Sequence, residues 1–312
     1  MSKQSATWQN LPSHFKQNVV ELLYFESRCA LQMCSKQDDC IVRRAPLTIQ
    51  CFWIDFQQED PSTFYISVQF EKNSARKYQK QNLEATCATF LQMFSKRNTF
   101  TKRFQIGFNR FVSPEKIKAY ELWSKLLESE FQINCEQLMV LNKCSDSTRK
   151  DDFLIWRFMQ RANPKYLKAL TINPRLPENE LTMIMESEQF KKSKNVYVVT
   201  HQKYEVIKRM LSADIITGYV EKLKVDEACQ FIKSFAAKPV SSSFHLRVIA
   251  DLDVTAIARR FGVQHTENPS IAEVSCNLAL RRRENGEDVC CYVRLYKRLV
   301  RGSVQRDQLI LI

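Results

Sequence analysis

The sequence predicts an α/β protein: a short helical motif near the N-terminus, then a degenerate repeat-type α/β solenoid ending in a β-hairpin cap. Three observations carry this prediction. Short apolar strand signals recur along the chain with helical signals between them. Glycine is very scarce, five in 312 residues. The first forty-odd residues hold a compact amphipathic stretch that is too short to form a core of its own.

That stretch is LPSHFKQNVVELLYFESRCALQMCSKQDDCIV. Pro12 fits the first turn of a helix, where its missing N–H costs nothing. Phe15, Val19, Leu22 and Leu23 recur at helical spacing on one face. Ser27 is the expected N-cap of a second short helix carrying Ala30, Leu31 and Cys34. So much apolar surface must pack on the rest of the chain or on another protein.

Next, LTIQCFWIDF (47–56) and TFYISVQF (63–70) read as strands joined by a turn around Asp60-Pro61. A lysine-rich stretch, 71–82, reads as an exposed loop, and Leu83, Cys87, Phe90, Leu91 and Phe94 mark an amphipathic helix. Strand candidates then begin at residues 104, 138, 169, 196, 222 and 246 (FQIGF, LMVL, ALTI, VYVV, KLKV, LRVI), at intervals that shorten from 34 to 24. One intervening helix is expected from Ser113 and Pro114, with Ile117, Tyr120, Trp123, Leu126 and Leu127 on one face. Another begins at Asp226 and buries Cys229, Phe231, Ile232, Phe235 and Ala236.

Strand–helix units at this spacing imply parallel strands with right-handed crossovers. A doubly wound sheet usually brings glycine-rich turns and a ligand crevice. The shortening, leucine-rich-repeat-like period and the scarcity of glycine instead favour a curved solenoid, strands on one face and helices on the other. Near the end, SIAEVSCNLALRRR and VCCYVRLYKR flank Asn285-Gly286, the pair a type I′ hairpin turn demands.

Composition narrows the function. Net charge is +13 with a pI near 9.2, which points to nucleic acid or to an acidic protein partner. The cations are dispersed, from Lys72–Lys80 through Lys96–Arg103 and Lys191–Lys194 to Arg281–Arg283 and Arg294–Arg301, and no nucleic-acid-reading motif accompanies them. In Lys102-Arg103-Phe104 and Arg294-Leu295-Tyr296-Lys297-Arg298, the aromatic of an alternating strand faces the core while its cationic neighbours face water. The five glycines are isolated, so no phosphate-cradling loop can be built and no cofactor is expected.

Eleven cysteines without a Cys-x-x-Cys pair, and four scattered histidines, suit reduced core residues better than disulfides or zinc. A cysteine nucleophile with a histidine base, such as His201 at a strand–helix junction, is the only catalytic arrangement the composition permits. It lacks any recognisable signature, so no enzyme is expected. The N-terminal residues are polar, no apolar run is long enough to span a bilayer, and no Asn-x-Ser/Thr acceptor occurs. The expected location is cytoplasmic, nuclear or both, without a membrane partner.

Leu11-Pro12, Val19-Val20-x-Leu22-Leu23 and Ser27-Arg28-x-x-Leu31-x-x-Cys34-Ser35-Lys36 resemble the F-box, the small helical motif that joins a variable protein to the adaptor of a cullin–RING ubiquitin ligase. Further along come Leu167-Lys168-x-Leu170, Glu188-Gln189-Phe190-Lys191 with Lys194, and Leu223-x-Val225 followed by Phe231-Ile232-x-x-Phe235. These are similar to the FTH-type domain that follows the F-box in a large, worm-expanded family.

The resemblance implies an F-box-like docking motif over 8–45 and an FTH-type α/β repeat domain over 46–312. It implies a non-catalytic substrate receptor that holds the adaptor and cullin with one part and a protein substrate with the other. The residues expected to touch the adaptor are Leu11, Pro12, Phe15, Val19, Val20, Leu22, Leu23, Leu31 and Cys34. Strand-end loops and the concave sheet face are the expected substrate contacts, and the basic balance points to an acidic or phosphorylated target. The alternatives are a solenoid scaffold, or a basic nucleic-acid-binding protein, without ligase docking.

Overall fold

The computed structural model describes residues 7–23, 25–56, 64–70, 77–95, 99–108, 124–142, 154–173, 176, 178–263 and 275–306. The chain groups into two compact units, one drawn from Met1–Cys144 with Asp151–Leu167 and the other from Ser145–Lys150 with Lys168–Ile312. Both are mixed α/β. The helical segment 8–45 falls inside the first unit.

The first unit opens with a 3₁₀ turn (Trp8–Asn10) and three helices, α1 (Ser13–Leu22), α2 (Phe25–Gln32) and α3 (Lys36–Arg44). Pro12, extended at ψ 146°, is the residue immediately before α1. Ser27 lies within α2 rather than capping it, because the helix already begins at Phe25. The serine that does cap is Ser35, whose hydroxyl accepts from Asp38 N–H and starts a third helix that the apolar spacing did not announce.

Five strands follow: β1 (Leu47–Phe56), β2 (Phe64–Gln69), β3 (Lys77–Gln81), β4 (Thr99–Phe108) and β5 (Asn134–Asn142), in spatial order β3-β2-β1-β4-β5. β1, β4 and β5 run parallel, while β2 and β3 add antiparallel. The stretch read as a loop therefore contains β3, whose polar, lysine-bearing sequence suits an edge strand. Between strands lie α4 (Leu83–Phe94), capped by Asn82, and a helical segment α5 described over 124–128. The Asp60-Pro61 turn and the Ser113-Pro114 helix start lie outside the described residues. With α6 (Leu154–Met159), these elements enclose a cluster of Phe52, Phe90, Phe94, Phe104, Phe131 and Phe158. Its edge-to-face and tilted pairs are 4.9–6.3 Å between centroids.

The second unit begins with β6 (Ala169–Ile172), α7 (Glu178–Glu186), α8 (Glu188–Lys192), β7 (Asn195–Gln202), α9 (Tyr204–Arg209), β8 (Ile215–Val220), α10 (Val225–Ala236), β9 (Ser243–Val248) and α11 (Val254–Arg260). β6, β7, β8 and β9 are parallel and adjacent in chain order. KLKV at 222–225 is not a strand; the strand lies earlier at β8, and Val225 already starts α10. That helix buries Cys229, Phe231, Ile232 and Phe235 as expected and leaves Ala236 half-buried.

Asn285 and Gly286 both have positive φ, 50° and 83°, and form the hairpin between β10 (Ser275–Glu284) and β11 (Glu287–Tyr296). A third strand, β12 (Leu299–Arg306), joins this hairpin to β9 antiparallel, so the cap is a three-stranded meander in order β9-β12-β11-β10. Helices pack on one face of this sheet. Phe231 and Phe235 of α10 meet Phe244 of β9 at 5.2 and 4.7 Å between centroids. Gly302 is where a Cβ would stand 2.5 Å from the Phe244 ring.

Candidate functional site

Two surfaces, one in each unit, present unused chemistry. In the first unit, α1–α3 close on Val20, Ile41, Val42 and Ala45, with Trp8, Leu23 and Leu31 against them. Burying such side chains stabilises by roughly 1.5–3 kcal/mol each. Polar groups pin the arrangement. Trp8 Nε1 donates to Asp38 at 2.7 Å, and the Ser35 hydroxyl donates to the same carboxylate at 2.7 Å. Lys16, only 2% exposed, donates to the Gln9 carbonyl at 3.1 Å and lies 5.8 Å from the Trp8 ring centre. The Trp8 bond, then the Ser35 bond, holds the Asp38 carboxyl below its ordinary range against the opposing effect of burial, and the Lys16 charge adds to this. Arg28 is buried and donates to the carbonyls of Leu23, Pro46 and Glu21 at 3.1, 2.6 and 2.8 Å, tying the end of α1 to the exit from α3.

The residues expected to touch an adaptor separate by exposure. Val20 is fully buried, and Leu23 and Leu31 pack beside it, so these three serve the helical cluster itself. Val20 presents no surface at all. Phe15 (48% exposed), half-buried Val19 and Leu22 (85% exposed) form a second stripe one residue out of phase. Pro12 and Cys34 are exposed and Leu11 is half-buried. Apolar spacing alone cannot separate neighbouring stripes when both are apolar. No apolar spacing marks Trp8, Lys16 or Asp38; the signal legible in residue order is Ser35-x-x-Asp38, an N-cap pattern.

In the second unit, alternate residues of β7, β8, β9, β12, β11 and β10 face away from the helices. Strand register aligns Tyr197, Thr217, His245, Arg301, Arg294 and Asn277 in one transverse row. The adjacent row holds Ser243, Ser303 and Tyr292. A cavity of roughly 690 Å³ opens over these two rows. Arg301 donates to the Tyr296 hydroxyl at 2.9 Å and lies over its ring, while Arg247 lies over Tyr219. Burial, then the charges of Arg247 and Arg301, pushes His245 below its ordinary value, so the imidazole is neutral near pH 7.

The ten described cysteines are thiols rather than disulfides, and burial pushes Cys135 up to about 12 and Cys291 up to about 11, with Cys87, Cys229 and Cys276 raised as well, which disfavours the thiolate at those five. The backbone of His201 lies within β7, one residue before its end, while its side chain lies outside what is described. Among the described residues no cluster of histidine, cysteine and carboxylate groups has the make-up of a metal site, and no helix is long and apolar enough to cross a membrane.

No protein-family model matches the chain, and no curated protein matches it. The functional reading therefore rests on the residues themselves.

Proposed function

We propose that this chain is the substrate-recognition subunit of a cullin–RING ubiquitin ligase of the F-box type. The helical segment docks the adaptor, and the α/β repeat region, read as a leucine-rich-repeat-like solenoid of FTH type, receives a protein substrate. One observation carries the reading: α1 satisfies its own cluster with Lys16, Val20 and Leu23 and still presents Phe15, Val19 and Leu22 outward. Exposing large apolar side chains on a helix that already has a packed face suits a groove on a partner. Leu11, Pro12 and Cys34 would extend that contact. Parallel strands in chain order, with α9 and α10 packed against one face, support the solenoid reading of the second unit.

The mechanism is proximity. Holding a substrate beside a ubiquitin-charged enzyme raises the effective concentration of its lysines, and no residue of the receptor takes part in isopeptide chemistry. Affinity purification of the full chain from a cytosolic extract tests the class. Co-purification of adaptor and cullin is expected, and their absence would contradict the reading.

A further inference from the structure

We propose that the half-exposed sheet face of the second unit carries a phosphoryl-binding site, built from Arg294 and Arg301 with His245 and Asn277 beside them, which takes a phosphoserine or phosphothreonine in an extended protein segment. The inference rests on the receptor reading only in calling that segment a substrate; the binding itself does not depend on adaptor docking.

The starting point is a broken local rule. Arg294 and Arg301 are direct cross-strand partners between β11 and β12, on the face turned away from the helices. Like charges directly opposite one another destabilise an antiparallel pair, with Cβ atoms about 4.5–5.5 Å apart. Neither arginine has a carboxylate partner among the described residues. Several acids of this unit are paired elsewhere: Asp251 with Lys297 and Arg298, Glu284 with Arg282, and Glu287 with Arg306. The Tyr296 hydroxyl and ring accommodate Arg301 but bring no negative charge, so the two facing guanidiniums leave a place for an anionic ligand.

The geometry selects the ligand. One carboxylate is satisfied by a single arginine fork, whereas a phosphate monoester carries nearly two charges and three terminal oxygens. Two guanidiniums on one row suit the dianion. Arg301 is already held by the Tyr296 hydroxyl, and the neighbouring imidazole of His245 is neutral, so it can donate a hydrogen bond without adding a third charge. The surroundings select a peptide over a free ion. The cavity far exceeds one phosphate, and the rest of its lining is uncharged, mixing apolar residues such as Ile215 with the hydrogen-bonding Ser243, Ser303, Tyr292 and Gln305. A nucleic acid would need cations repeated along a track; uncharged Thr217 and Asn277 bracket the charged centre of the row, whereas Arg247, Arg281 and Arg283 lie further along the same face, so an oligonucleotide is a separate arm of the test.

The test titrates the full chain with a labelled short phosphoserine peptide of otherwise neutral sequence. Its unphosphorylated and glutamate forms and a mixed-sequence oligonucleotide serve as separate arms, all at about 0.15 M salt. The phosphoserine form should bind at least about tenfold more tightly than the other peptides, inorganic phosphate should compete, and Arg294→Gln and Arg301→Gln should each weaken binding about tenfold or more. The Arg294→Gln variant should also unfold at a higher temperature, because the repulsion is relieved, and it should keep full adaptor binding. Absence of phosphate-dependent binding, tighter binding of the oligonucleotide, or unchanged affinity in both variants would overturn the site. Phosphopeptide binding by a chain that ignores the adaptor would leave the site standing and remove only the ligase assignment.

Discussion

Phe15 and Lys16 are neighbours in α1 with inverted exposures: the phenylalanine is 48% exposed, whereas the lysine is 2% exposed. The lysine is drawn inward by the Gln9 carbonyl and the Trp8 ring, and the phenylalanine is left facing out. This inversion sets the phase of the whole helix, so Val20 and Leu23 follow Lys16 inward while Val19 and Leu22 follow Phe15 outward.

Truncating the two stripes should have opposite consequences. Val20→Ala removes two buried methyl groups and should cost about 2 kcal/mol of stability. Leu22→Ala should stay within about 0.5 kcal/mol of the parent. Denaturant unfolding of the full chain checks both.

Arg28→Met keeps the aliphatic stem but abandons three carbonyls. A net loss of about 3 kcal/mol is expected, concentrated in the helical segment. Hydrogen exchange should show faster opening of α1–α3 amides while those of β8 and β9 remain protected.

Acid should loosen the same segment through Asp38. Its folded-state value lies below its ordinary 3.8, so the folded form favours the ionised carboxylate. The resulting stability is complete well above 3.8 and disappears as pH falls through the folded value. Asp38→Asn should be the less stable protein near neutrality, and the gap to the parent should close in thermal unfolding as pH falls through and below 3.8.

Gly302→Ala is expected to destabilise by about 1–3 kcal/mol. The added methyl meets the Phe244 ring and stands 3.0 Å from the Tyr292 carbonyl. Unfolding monitored by circular dichroism reads this directly, and a neutral result would show that the meander and β9 can separate without cost.

Some of these features could be read from residue order, and the reasons differ where they could not. Ala169–Ile172 was predicted to the residue, because a short apolar run between polar segments fits a strand and little else. β8 escaped, since Gly218 interrupts its pattern. A Cβ there would lie 2.8 Å from the Ile207 Cδ1 of α9, a close approach that only the fold creates. β12 escaped similarly through Gly302. β3 looked like a loop because an edge strand protects itself with polar residues. The helical head was recognised from Leu11-Pro12 and its apolar spacing, but the division between its inward and outward stripes depends on Lys16 and Trp8, which no spacing rule links. The row joining His245, Arg301 and Arg294 depends on strand register and is invisible in a linear string.

The central claim, that α1 carries a docking stripe separate from its packing stripe, is tested most directly by calorimetric titration of the purified full chain with the purified adaptor, alongside Leu22→Asp. The account predicts saturable binding by the parent and a loss of about a hundredfold or more in the variant, at an unchanged unfolding midpoint. Absence of binding by the parent, or full affinity in Leu22→Asp, would contradict it.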